Sequence, residues 1–205
     1  MSIDTTSAAL TLALGTAVEA PRIQSWHLER AMSSQMHPLL KAFIEPQSWS
    51  DLAWIAVLKG PGSFTGTRMG VVTARTLAQQ LQIPLFSWSN LAIAAWIEAV
   101  QRGIEDRWVV AVSQPGQRGY LYGAVYEVAV KAGGLIPLSS DRLLPTQDWS
   151  SYLDQMPFAC DVCLEQPAPA ALDSQLLGQS LLTLGWQAWQ QGMRPHWQEV
   201  LPYYG

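Results

Sequence analysis

An uninterrupted apolar run, Ala53 to Leu58, leads straight into a glycine-dense loop, Gly60-Pro61-Gly62-Ser63-Phe64-Thr65-Gly66, and a helical stretch follows from Gly66 to Leu81. A run with no polar alternation suits a strand buried on both faces. The segment therefore demands a layered arrangement in which helices cover a sheet. The alternation continues, with Pro84 to Trp88 reading as a strand, Leu91 to Val100 as a helix and Trp108 to Val112 as a strand. Strands and helices in turn predict an α/β layer with parallel strands.

The region before the run reads differently. Ile3 to Thr5, Ala8 to Leu14 and Ile23 to Leu28 predict an antiparallel meander around an Asp4-Thr5-Thr6-Ser7 turn. From Ala31 to Ile44 the apolar positions Met32, Met36, Leu39, Leu40, Phe43 and Ile44 fall at helical spacing. Pro38 either belongs to the first turn of a helix opened by Ser33 or Ser34, or kinks a longer one, because it lacks a backbone donor. Further on, Tyr120 to Val130 predicts a strand, Gln147 to Leu153 a short helix and Leu172 to Trp189 a long one, with an irregular tail from Gly192. The charged, glycine-containing stretch Arg102 to Asp106 predicts a boundary between a first lobe, 1–103, and a second, 104–205.

The loop's glycines, with Ser63 and Thr65 as possible helix N-caps, raise the question of anion binding. A phosphate-binding P-loop places Gly, four residues, Gly, then Lys and Ser or Thr. Here five residues separate Gly60 from Gly66, and Thr67-Arg68 follow. A G-x-S-x-G nucleophile elbow around Ser63 fails too, because Pro61 and Thr65 stand where glycines are needed. Capping a helix is the simpler role for Ser63.

Gly66, Gly70, Ala74 and Ala78 recur every four residues and form a bare ridge along the helix. A glycine in a helix interior costs about 1 kcal/mol relative to Ala, so close packing must compensate. The ridge seats either on the protein's own sheet or on a partner.

Charged residues are 14% of the chain and hydrophobic ones 49%, against the roughly one quarter charged that is usual for soluble domains. Ten Trp residues fill either the core or an interface. A net charge of -4 argues against a direct grip on nucleic acid, which needs a basic face. Met1-Ser2-Ile3-Asp4 shows no basic segment leading to an apolar core, and no run approaches membrane-spanning length, so a cytoplasmic protein without a membrane segment is expected. Cys160 and Cys163 form a C-x-x-C pair on a predicted short buried strand. They are either structural or a redox or metal pair, although zinc would need two further ligands, and His27, His37 and His196 lack ligand spacing.

Taken together, Gly60-Pro61-Gly62-Ser63-Phe64-Thr65-Gly66-Thr67-Arg68-Met69-Gly70 resembles the G-P-G-S-F-T-G-L-R-I-G signature of the TsaB (YeaZ) family. The similarity extends through Ala74 to Leu81, Ile83-Pro84-Leu85 and Ser89-Asn90-Leu91, and back to Ile3-Asp4-Thr5-Thr6. The resemblance implies an actin-like, sugar-kinase-like α/β fold in two lobes, with mixed sheets, flanking helices and a degenerate second lobe. It further implies a subunit with no catalytic residues, metal or cofactor of its own. That subunit pairs with a TsaD-like catalytic protein and a TsaE-like ATPase, meets tRNA only indirectly, and supports transfer of threonylcarbamoyl to the adenosine beside the anticodon. An unsatisfied helix pair implies a homodimer when the protein is alone.

Mapped onto this chain, the implied interface is Met32, Met36, Leu39 and Leu40 with Gly70, Ala74 and Ala78. Ser113-Gln114 departs from the family's Asp-Ala-Arg stretch. A competing reading is an independent phosphotransferase or ATPase of the same fold, with Asp4 and the glycine loop holding a nucleotide and magnesium. Against it, Asp4 suits fixing its own turn. A peptidase, suggested by older naming of the wider family, has no support in these residues.

Overall fold

The computed structural model describes residues 1–15, 20–166 and 172–205. In chain order the elements are β1 (Ser2–Asp4), β2 (Ala9–Leu14), β3 (Arg22–His27), α1 (Met32–Ile44), β4 (Ile55–Leu58), α2 (Phe64–Leu81), β5 (Leu85–Trp88) and α3 (Asn90–Gln101). There follow β6 (Trp108–Pro115), β7 (Tyr120–Ala129), β8 (Gly134–Pro137), β9 (Arg142–Pro145), α4 (Trp149–Asp154), β10 (Val162–Glu165) and α5 (Ser174–Gln190). Among the described residues no helix is long and apolar enough to cross a membrane.

The chain forms two compact units, one of Met1–Trp88 with Leu172–Tyr204, the other of Ser89–Ala171 with Gly205. The division thus falls at Trp88, not at the charged stretch near Arg102, and the first unit regains the chain's last long helix. The reason is packing. α5 carries a buried face of Leu177, Leu181, Leu184 and Ala188, with glycines at 178 and 185, and it lies against β1 to β4.

The first unit holds a five-stranded sheet in the order β3-β2-β1-β4-β5. The meander is antiparallel, as expected, with Ile3 opposite Leu12 and Leu12 opposite Gln24. β4 runs parallel to both β1 and β5. Alternation along the strands sends Ile3, Leu12, Ile55 and Val57 to one face, where they meet Met36, Leu40 and Phe43 of α1 and Val71, Ala74 and Ala78 of α2. The opposite face presents Ala13, Ala56, Trp54 and Phe86 to Leu182 and Ala188 of α5. α5 approaches closely because a Cβ at Gly178 would lie 2.8 Å from an Ile23 methyl, and one at Gly185 only 2.5 Å from the Trp54 ring.

α1 opens at Met32 after a single 3-10 turn, Glu29–Ala31, with no side-chain cap, so neither Ser33 nor Ser34 begins it. Pro38 lies in its interior and is exposed, where a missing donor faces water.

The second unit is a mixed sheet in the order β10-β6-β7-β8, with β9 also paired to β7. β10 is parallel to β6; the other pairings are antiparallel. α3 is buried from Leu91 to Ile97 and packs on β6 and β7. Val109, Ala111 and Val125 gather Trp149, Leu153 and Phe158 into a smaller cluster. Gly123 makes room for Trp149, whose ring would lie 2.5 Å from an added Cβ.

Candidate functional site

The glycine loop joins β4 to α2, and its counterpart is the turn after β1. Asp4 is 3% exposed, and its Oδ1 accepts from the backbone N–H of Thr6 at 2.8 Å and from the Thr6 hydroxyl at 2.7 Å. Burial nevertheless pushes the Asp4 carboxyl above its ordinary value, outweighing those bonds and one from the Thr5 backbone. Thr5 donates its hydroxyl to the carbonyl of Gly66 at 2.7 Å, and Ser63 N–H donates to the carbonyl of Thr6 at 2.7 Å.

The glycines are where they are because of this turn. A Cβ at Gly62 would overlap the Thr6 carbonyl oxygen, one at Gly66 the Thr5 carbonyl oxygen, and one at Gly70 the Thr5 hydroxyl. Gly60 has φ +101°, a conformation that favours glycine, and a Cβ there would sit 2.5 Å from the carbonyl oxygen of Tyr203.

Ser63, and not Thr65, caps α2: its hydroxyl accepts from Gly66 N–H at 3.2 Å and its carbonyl from Thr67 N–H at 2.8 Å. The amides of Ser63, Gly66 and Thr67 are thereby already bonded within the protein, which leaves little of the donor cradle that an anion needs.

The C-terminal tail seals the loop's other side. Tyr203 N–H donates to Lys59 O at 2.7 Å, and the Tyr204 ring stands 4.5 Å from Phe64. The Arg68 guanidinium lies over Phe64 at 4.8 Å and donates from Nε to the Tyr204 hydroxyl at 3.3 Å. A cavity of about 430 Å³ opens beside the helix start, lined by Ser7, Glu29, Arg30, Met32, Ser63 and Met69 among others. Glu29 there pairs with His27 at 3.0 Å.

The residues assigned to a partner interface are placed unexpectedly. Met32, Met36, Leu40, Gly70, Ala74 and Ala78 are buried within this one chain, and Leu39 is half-buried. The small ridge therefore seats on Thr5 and the sheet of its own unit, because the glycine loop aims that face of α2 inward. The exposed positions of α2 are Phe64, Thr65, Arg68, Val72, Thr76, Gln79 and Gln80, with Val72 52% exposed, and Met69 beside them is half-buried against the core. Within that surface Thr65, Met69, Val72 and Thr76, spaced by four, three and four residues, make one stripe bordered by Arg68 and Arg75. The face of α2 that the sequence pattern singles out is therefore the one buried within this chain. The Thr5–Gly66 and Tyr203–Lys59 contacts carried no local signal, since each joins residues remote in sequence.

Neither half of the C-x-x-C pair is fully buried: Cys163 is exposed, Cys160 half-buried, and both are free thiols. Among the described residues, no three His, Cys, Asp or Glu side chains gather to hold a metal ion.

Residues 21–135 match the family model described as TsaD: tRNA N6-adenosine threonylcarbamoyltransferase. The chain is similar to the tRNA threonylcarbamoyladenosine biosynthesis protein TsaB of Bacillus subtilis (strain 168), 35% identical over 130 residues, which is 63% of this chain and 52% of that protein. The TsaB protein of Escherichia coli (strain K12) is 32% identical over 131 residues, covering 57% and 54% of the two chains. The matched region thus spans about half the length of these curated relatives.

Among solved structures, YeaZ from Pseudomonas aeruginosa superposes with a TM-score of 0.71 at 21% identity, covering 100% of this chain and 98% of that one. A crystal structure described as an uncharacterized protein with similarity to peptidase YEAZ, also from Pseudomonas aeruginosa, gives 0.72 at 21% identity, covering 99% and 97%. The likeness establishes the fold: mixed sheets with flanking helices in the actin-like arrangement.

Proposed function

This chain belongs to the TsaB (YeaZ) group within the family described as TsaD, tRNA N6-adenosine threonylcarbamoyltransferase, and from that premise we propose that it is a non-catalytic subunit supporting a TsaD-like enzyme. The role would be to help transfer threonylcarbamoyl to a tRNA adenosine beside the anticodon, with tRNA met only through the catalytic partner. A TsaE-like ATPase is the third proposed component. In that role the protein would act in the cytoplasm.

The observation that carries the reading is the use to which the signature loop is put. Its glycines fit the Thr5–Thr6 turn, its amides bond within the chain, and Ser63 is taken up in capping. What remains for function is the outward stripe of α2: Thr65, Met69, Val72 and Thr76. A half-apolar stripe of this spacing, with Arg68 at its border, suits packing against a partner helix. In the absence of the catalytic partner, the same stripe would serve a homodimer.

A phosphotransferase using Asp4 is disfavoured by the same geometry, since that carboxyl is buried and occupied by Thr6. Co-purification with the cognate TsaD-like protein tests the proposal. Binding should be lost in Val72→Glu while the isolated variant stays folded, and tRNA modification in depleted cells should be restored by Ser63→Ala but not by Val72→Glu. Undiminished binding and modification with Val72→Glu and Met69→Glu together would sink the docking face. Substitution at buried Ala74 is no test, because it perturbs the core.

A further inference from the structure

Cys160 and Cys163 lie outside the proposed docking face. β10 begins only at Val162, so the pair does not share one buried strand: Cys163 is exposed on the strand, and Cys160 is half-buried in the segment before it. The backbone bends at Asp161 between them. That bend is anchored to β6, where Asp161 N–H donates to Val109 O at 2.8 Å and its carboxylate accepts from Val109 N–H at 2.7 Å. Both cysteines line one open hollow of about 630 Å³, with Leu153, Met156 and Phe158.

We propose that Cys160 and Cys163 are a dithiol pair that closes to an intramolecular disulfide by exchange with a small disulfide such as oxidised glutathione. A third ligand for a metal is missing among the described residues, whereas two thiols on one accessible hollow meet the need of exchange, which is access for an attacking thiolate. Cys163, the exposed thiol, reacts first. It gives its proton to solvent and its sulfur attacks one sulfur of the glutathione disulfide; that S–S bond breaks, and the departing glutathione thiolate takes up a proton. Cys160 then loses its proton to solvent and attacks the Cys163 sulfur, expelling the second glutathione. The pair gives up two electrons, and one disulfide becomes two thiols.

The order of attack follows the surroundings. Burial, helped by the neighbouring Cys163 and Asp161, pushes the Cys160 thiol up and keeps it protonated. Once the mixed disulfide has formed on Cys163, no thiolate charge remains there to oppose ionisation of Cys160.

The full chain is incubated with oxidised glutathione, its remaining thiols are alkylated in acid-quenched samples, and the products are weighed by mass spectrometry. The expected wild-type product is lighter by two hydrogens, with both cysteines protected. Cys160→Ser should instead accumulate a stable glutathione adduct on Cys163, and Cys163→Ser should react more slowly than Cys160→Ser. Two glutathione adducts on the wild-type chain, a lasting single adduct, or two alkylated cysteines would each overturn the proposal.

Discussion

Gly70 and Thr5 are matched in shape: the space that a side chain at Gly70 would fill is held by the Thr5 hydroxyl, which donates to Gly66 O at 2.7 Å. In an exposed helix interior, Gly→Ala stabilises by about 1 kcal/mol. Here the sign should reverse. Gly70→Ala is expected to lower stability by about 1–2 kcal/mol through overpacking, read as a shift of the urea midpoint at unchanged slope. Gly66→Ala should cost more, because its Cβ meets the Thr5 backbone, which has less freedom to move. Thr5→Ala combined with Gly70→Ala should be less damaging than the two single losses added together.

Asp4 sets a pH dependence. Its folded carboxyl titrates above the ordinary value of 3.8, so the folded state binds the proton more tightly than the unfolded chain does. The associated stability is fully present below the unfolded value and is lost as pH rises through the folded one. Asn at this position keeps an oxygen for the two Thr6 donors and removes the ionisation. Asp4→Asn should therefore flatten this loss, so that its urea midpoint relative to wild type is higher at about pH 8 than at about pH 4. Equal pH profiles for the two proteins would show that Asp4 does not titrate as its burial demands.

Gly185 lets α5 lie on Trp54, with only 2.5 Å between an added Cβ and the ring. Gly185→Ala should depress the thermal midpoint despite its better helix propensity. Trp54→Phe, which shortens the ring at the point of contact, should recover part of that loss.

Tyr204 ties the tail to the loop. Tyr204→Ala removes its ring from Phe64 and its hydroxyl from Arg68, and should cost about 0.5–1.5 kcal/mol. Tyr204→Phe keeps the ring contact and should cost less. Limited proteolysis after Arg68 is the local readout, with faster cleavage expected in the alanine variant.

Much of the first unit was legible because its signals are local. The apolar run became β4, the meander paired as predicted, and Ser63 opened α2. The direction of the Gly66–Ala78 ridge was not legible, since small residues every four positions fit an inner and an outer contact equally well. Only the Thr5–Thr6 turn decides between them. β8 and β9 were missed for a different reason: Gly134–Pro137 and Arg142–Pro145 are four residues long, end in proline and show no alternation. They are strands because β7 is there to pair with them. The cysteines were misread because a short apolar run looked like a core strand, whereas β10 has one neighbour, β6, and carries its side chains half-exposed.

The return of α5 to the first sheet also bears on synthesis. Strands β1 to β5 leave the ribosome early, yet one face of their sheet has no cover until Leu177, Leu181 and Leu182 have been made. Ala13, Ala56, Trp54 and Phe86 must therefore wait, uncovered, while the whole second unit is translated. A nascent chain stalled before α5 would present an apolar sheet face to the cell, and that exposure marks the interval in which a chaperone has something to hold.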